Sequence, residues 1–325
     1  MKTQHQKLII ILLIVFSTSS CMTTKKHIVP SSLYKTETGK NISYASYDKA
    51  MELWNIDYKK EYVVTDFGKS HVIISGQEDG QPLVLIPGLF ADATMWYPNV
   101  SELSKTFRVY TLDMLNYGGK GQPEGKAIID IKDYQIWFNQ ILNHYNLKNV
   151  SVAGLSYGSW LALALARENP SIINSLLLLD PSETFMPMNG GIAWKGFKAF
   201  MFFPNREKYR KFFEWLGGGY SDEKMNIWFE HMLDVIEFGT TKMTDVPMHR
   251  IYKPEELTMI KMPVLVMAGG KPILYKDPQA FKTSVIKALP HAKVVIVEGA
   301  GHGLNMEKPD IVNKEMIDFL ILNTK

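Results

Sequence analysis

The chain has 325 residues, 46% of them hydrophobic, enough to bury a full core as one large domain or two small ones. Its formal net charge of +3 is small and scattered, with no basic stripe, which argues against a nucleic-acid partner. A single cysteine excludes an intramolecular disulfide, and neither heptads nor an internal repeat is present.

At the N-terminus, Lys2 and Lys7 precede the apolar run Leu8 to Phe16, and "STSSC" follows. These are the basic, apolar and small-residue regions of an export signal over residues 1–20, with a run too short to span a bilayer comfortably. Cys21, directly after Ser19 and Ser20, resembles a bacterial lipoprotein processing site, where the cysteine is lipidated and becomes the new N-terminus. Thr18 departs from that pattern, where leucine is more usual. A plain signal peptide with a coincidental cysteine is the competing reading. The expectation is an extracytoplasmic protein held on a bacterial membrane through Cys21, with residues 21–48 as a polar tether.

Eight short β-rich runs come next: "EYVVT" (61–65), "HVIIS" (71–75), "LVLI" (83–86), "RVYTL" (108–112), "VSVA" (150–153), "SLLLL" (175–179), "VLVM" (264–267) and "KVVIV" (293–297). From the third onward they are continuously apolar, as strands buried on both faces of a sheet are. Helical stretches alternate with them: Asp130 to Tyr145, Ser156 to Glu168, Pro278 to Leu289 and Pro309 to Leu322, the last two opening on proline. Strand alternating with helix predicts an α/β fold with a mostly parallel, eight-stranded sheet covered on both faces. Residues 182–261 break the alternation and are rich in Phe, Met and Trp. They read as a helical cap inserted after the sixth strand, between core segments 49–181 and 262–325.

"AGLSYGSW" places Ser156 between two glycines, on the turn from the fifth strand to a helix. Such a turn strains the nucleophile's backbone and requires small flanking residues, while helix N-terminal amides stabilise negative charge beside it. A serine needs a base to take its proton. His302, in the glycine-rich loop after the last strand, comes late enough in the chain to fold back over the sheet edge. His71 lies inside an early strand, His144 late in a helix and His291 in a turn. An oxyanion would find the backbone N–H of Tyr157, directly after the serine, and that of Leu89 in "LVLIPGLFADATMW" after the third strand.

Strand order, elbow, oxyanion loop and late histidine, over about residues 60 to 322, resemble the α/β-hydrolase superfamily, and within it bacterial carboxylesterase-like members with a helical cap. The resemblance implies a serine hydrolase in which Ser156 attacks a small-molecule ester, forms an acyl-enzyme, and releases it to water with His302 shuttling the proton. A thioesterase, lactonase or carbon–carbon hydrolase uses the same triad. A non-catalytic, surface-anchored binding protein of this fold is the reading from another class.

Two positions depart from the family. Pro87-Gly88 stands where His-Gly is usual, which keeps the amide donor. The common Gly-x-x-Asp/Glu after the seventh strand is missing: Pro272 and Ile273 occupy those positions. Asp180, Asp277 and Glu183 remain as candidate acids. Asp277 precedes Pro278 and an amphipathic run, so a helix N-cap already accounts for it. Asp180 closes the sixth strand, beside the nucleophile strand at a spacing of about 4.8 Å, and is the preferred acid. No metal-ligand spacing, phosphate loop or dinucleotide fingerprint is present, so no cofactor is expected. The aromatics Trp194, Phe197, Phe200, Phe202, Phe203, Phe212, Phe213 and Trp215 read first as the cap's own core, with some available to an apolar acyl pocket.

Overall fold

The computed structural model describes residues 32–242 and 245–323. The expected signal peptide and Cys21 lie outside the described residues.

The first described element corrects the expected tether. Helix α1 (Glu37–Met51) begins at a Thr36 N-cap and occupies much of the segment read as linker. Its buried side is carried by Tyr47, Ala50 and Met51, continued by Trp54. That is helical spacing diluted by polar neighbours, which is why the segment read as linker.

The long strands are β1 (Tyr58–Thr65), β2 (Gly68–Gly76), β3 (Pro82–Ile86), β4 (Arg108–Leu112), β5 (Val150–Leu155), β6 (Ile173–Leu179), β7 (Val264–Gly269) and β8 (Lys293–Val297). They lie in the order β1-β2-β4-β3-β5-β6-β7-β8. A ninth, two-residue strand, Gln122–Pro123, pairs with β2 off this path and was too short to leave a sequence pattern. β1 and β2 are antiparallel to their neighbours, and every pairing from β4 through β8 is parallel. Helices α2 (Ile131–His144), α3 (Tyr157–Glu168), α7 (Pro278–Ala288) and α8 (Pro309–Leu322) connect or flank these strands. Successive strand residues serve opposite layers. Val84 and Ile86 join the core that contains Trp137 and Phe281, while Leu83 and Leu85 join the one that contains Tyr47 and Phe319.

Between β6 and β7 stand α4 (Gly190–Phe200), α5 (Arg206–Leu216) and α6 (Glu223–Phe238). The helical part of the insertion is therefore shorter than 182–261. Among the described residues its return leg carries a 3₁₀ turn, Pro254–Leu257, and buries Val246, Tyr252, Leu257, Ile260 and Met262 in the core that contains Trp137. Pro247 and Pro254 interrupt any helix there.

Candidate active site

Ser156 occupies a backbone conformation few L-residues tolerate, φ 56° and ψ −119°, between the end of β5 and the start of α3. Left-handed backbone at a non-glycine residue costs on the order of 1–3 kcal/mol and persists only where the surroundings enforce it. Here they do. The Ser156 N–H donates to the Leu179 carbonyl at 2.9 Å, and the Ser159 hydroxyl donates to the Gly154 and Leu179 carbonyls. A Cβ on Gly154 would stand 2.3 Å from the Gly158 carbonyl oxygen, and one on Gly158 would stand 2.4 Å from that of Pro87. Both flanking positions exclude any side chain.

Strand register places the acid. Leu155 of β5 pairs with Leu179 of β6, and Leu179 pairs with Met267 of β7. One residue beyond each strand end come Ser156 and Asp180, side by side at the carboxyl edge of the sheet. The Asp180 N–H is tied to the Met267 carbonyl at 2.7 Å, and one carboxylate oxygen accepts weakly from Gly269 N–H at 3.4 Å. The other accepts from His302 Nδ1 at 2.6 Å. Burial pushes the Asp180 carboxyl above the usual range, against the opposing pull of the His302 hydrogen bond, its charge and the Gly269 N–H.

The other two candidate acids are engaged elsewhere. Asp277 caps α7, accepting from the Gln279 and Ala280 N–H groups. Glu183 pairs with His249 at 3.2 Å. Of the three carboxylates, Asp180 is the one that meets His302.

Ser156, His302 and Leu89 line one cavity of about 120 Å³, walled by Met95, Trp228 and Met232 among others. Gly88 sits against the serine: a Cβ there would lie 3.7 Å from Ser156 Cβ. Tyr157 opens α3, so its N–H has no carbonyl partner within the helix. Leu89 and Tyr157 thus flank the serine from two separate elements. The expectation for the cap aromatics needs correction. Phe213 lines the cavity, but Trp194, Phe197, Phe202 and Phe203 are exposed, with Phe203 at 77%. Residues absent from the aromatic inventory, Met225, Trp228, Phe229 and Met232 of α6, supply the apolar wall.

Further polar residues that the sequence reading did not single out support the site. Glu307 accepts from the N–H groups of Gly301 (2.7 Å) and Gly303 (3.1 Å), clamping the loop on both sides of His302. Burial raises its carboxyl above the usual range, partly offset by those two hydrogen bonds and by Lys271. The cap closes on the same loop: His302 N–H donates to the Leu216 carbonyl at 3.0 Å, and Lys271 Nζ to that of Gly218 at 2.7 Å. Beneath the oxyanion loop, Asp92 pairs with His231 of α6 at 2.6 Å, and Asp113 with His71 at 2.7 Å. Glu307, five residues after His302, was within reach of a sequence argument. The pairs His71–Asp113 and Asp92–His231 join residues 42 and 139 positions apart and carry no local signal.

Residues 83–315 match the alpha/beta hydrolase family. Carboxylesterase YbfK of Bacillus subtilis (strain 168) is 28% identical over 280 residues, which is 85% of this chain and 93% of that protein. The uncharacterized carboxylesterase nap of the same strain is 27% identical over 291 residues, 86% of this chain and 93% of that one. The crystal structure of naproxen esterase (carboxylesterase NP) from Bacillus subtilis superposes with a TM-score of 0.76 at 25% identity, covering 88% of this chain and 99% of that chain. The chain belongs to the alpha/beta hydrolase family.

Proposed function

We propose that this protein hydrolyses carboxylic esters with apolar, short acyl chains, using Ser156 as nucleophile, His302 as base and acid, and Asp180 as the residue that orients and stabilises the imidazole. The observation that carries the reading is the Asp180–His302 hydrogen bond at 2.6 Å, made by a histidine that shares a cavity with an elbow serine. Ser156 Oγ attacks the ester carbonyl as His302 Nε2 takes its proton. The oxyanion is met by the Tyr157 and Leu89 N–H groups and the positive end of α3. His302 returns the proton to the leaving alkoxide, and water, activated by the same nitrogen, releases the acid from the acyl-enzyme. The cavity, about 120 Å³, is small and mostly apolar in its lining, which favours a short apolar chain. Its methionines adapt to small differences in shape.

Curated carboxylesterases matched over 93% of their own length favour an enzyme over a binding protein of the same fold. A series of p-nitrophenyl esters of rising chain length tests the reading. Turnover should be greatest for short chains, and Ser156→Ala should abolish it. Full activity in that variant would sink the assignment. The proposal includes a location. Residues 1–20 direct export and Cys21 carries the lipid, since a diacyl group supplies the two chains that stable anchoring needs. Cys21→Ala should then release the chain from membranes or stall its processing.

A further inference from the structure

The cap helices α4 and α5 have two unlike faces. Inward, Phe213 and Leu216 line the site cavity, and Phe200 stacks on Phe90 of the oxyanion loop at 6.1 Å. Outward, Trp194 (59% exposed), Phe197, Met201 (71%), Phe202 and Phe203 (77%) stand in solvent along α4 and the turn after it. Soluble surfaces rarely gather so many large apolar groups unless something covers them.

Lysines surround that cluster. Lys195, Lys198, Lys208 and Lys211 ring a groove of about 520 Å³ whose floor includes Phe202 and Trp215. Residues 190–216 hold six basic side chains against two acidic ones; Arg206 and Arg210 are paired with Glu230, Asp234 and Glu237 of α6, so the four lysines carry the charge of this face. Among the described residues, Lys195 and Lys198 meet no carboxylate. They lie over the Trp215 and Trp194 rings at 4.7 and 4.8 Å. Lys208 donates to the Phe202 and Phe203 carbonyls, and Lys211 pairs with Glu207.

Lys35 N–H bonds the Phe238 carbonyl and Thr240 N–H bonds that of Leu33, so the N-terminal segment joins the fold along the end of α6. Glu237 there pairs with Arg206, three residues after Phe203. The 12 residue-to-residue steps from Cys21 to Leu33 can span at most about 40 Å, at 3.3–3.6 Å each.

We propose that the outer face of the cap docks on an anionic lipid bilayer, inserting Trp194, Phe197, Met201, Phe202 and Phe203 at the headgroup level with lipid phosphates in the lysine-ringed groove. Aromatic rings with lysines beside them suit the membrane–water interface, where rings lie among headgroups and ammonium groups meet phosphates. The docking surface does not depend on the identity of the ester.

The test reconstitutes the full chain in vesicles of phosphatidylglycerol or phosphatidylcholine with brominated acyl chains. Trp194 emission is isolated as the difference between wild type and Trp194→Phe. In phosphatidylglycerol vesicles the Trp194 component should be quenched. It should recover in phosphatidylcholine and in Lys195→Glu/Lys198→Glu, each lysine contributing about five-fold to attraction. Turnover of a soluble p-nitrophenyl ester should stay unchanged in these variants, which shows that they fold and separates this result from the esterase reading. Flotation with the vesicles reports the anchor separately. A chain that floats with Trp194 unquenched is anchored but undocked and overturns the proposal. Equal quenching in both lipids overturns the anionic requirement.

Discussion

Asp180–His302 and Asp92–His231 are the same two groups at the same separation, 2.6 Å, both buried. They differ in what the rest of the imidazole does. His302 uses Nδ1 for Asp180 and lines the cavity beside Ser156, with Nε2 free of any hydrogen bond among the described residues. His231 spends both nitrogens, Nε2 on Asp92 and Nδ1 on the Ser46 hydroxyl. The Tyr47 ring closes over it edge-on at 5.4 Å. His302 lines the cavity, whereas the second pair ties α1, the loop after β3 and α6 together.

The aspartates are perturbed in opposite directions. Burial outweighs the hydrogen bonds at Asp180 and raises its carboxyl. At Asp92 burial is also the largest influence, but the His231 charge and hydrogen bond, with two hydrogen bonds from Thr94, together hold the carboxyl below its usual range. A raised folded-state carboxyl stabilises only while protonated, so ionised Asp180 costs stability near neutrality. A lowered one stabilises above the ordinary aspartate range, and that stability is lost as pH falls through the folded-state value.

The largest effect that separates the pairs should come from Ser156→Ala. Loss of the triad's nucleophile costs on the order of 10⁶ in kcat, and the melting temperature should not fall. Asp180→Asn should lower kcat by about 10⁴ through the wrong His302 tautomer, without loss of stability near neutral pH, because a neutral amide replaces a buried charge. Asp92→Asn should do the reverse. Denaturant titration should show a loss of about 3 kcal/mol, the low end for breaking one partner of a buried pair. Its kcat should fall far less than that of Asp180→Asn. The difference between wild type and Asp92→Asn should shrink as pH drops below the ordinary aspartate range. If it stays constant there, Asp92 is not the ionised partner. The smallest change belongs to Asp277→Ala: loss of an N-cap costs about 1 kcal/mol, and kcat should not move.

The same contrast explains what could be read from the sequence. The elbow was legible because Gly154, Ser156 and Gly158 lie within five residues between an apolar strand and a helix. Asp180 was harder, since the usual position after the seventh strand holds Pro272 and Ile273, and the residue had to be placed by adjacency of β5 and β6. Geometry then separates it from Asp277 and Glu183, whose carboxylates are spent on α7 and His249. The Asp92–His231 pair was invisible because its partners come from two elements joined only in the folded state. Helix α1 was missed because its apolar positions, Tyr47, Ala50 and Met51, sit at one end of a polar segment. The cap aromatics misled in the opposite way. Composition marked Trp194 and Phe203 as interior, yet they face solvent, and much of the apolar cavity wall comes from α6.

The central claim is that Ser156 is activated through His302 by Asp180 and not by any other carboxylate. Reaction with a fluorophosphonate, followed by peptide mass mapping in wild type, Asp180→Asn and Asp92→Asn, tests it most directly. The account predicts one adduct, on Ser156, formed at similar rates in wild type and folded Asp92→Asn and far more slowly in Asp180→Asn. Equal labelling of Asp180→Asn and wild type, or an adduct on another residue, would contradict it.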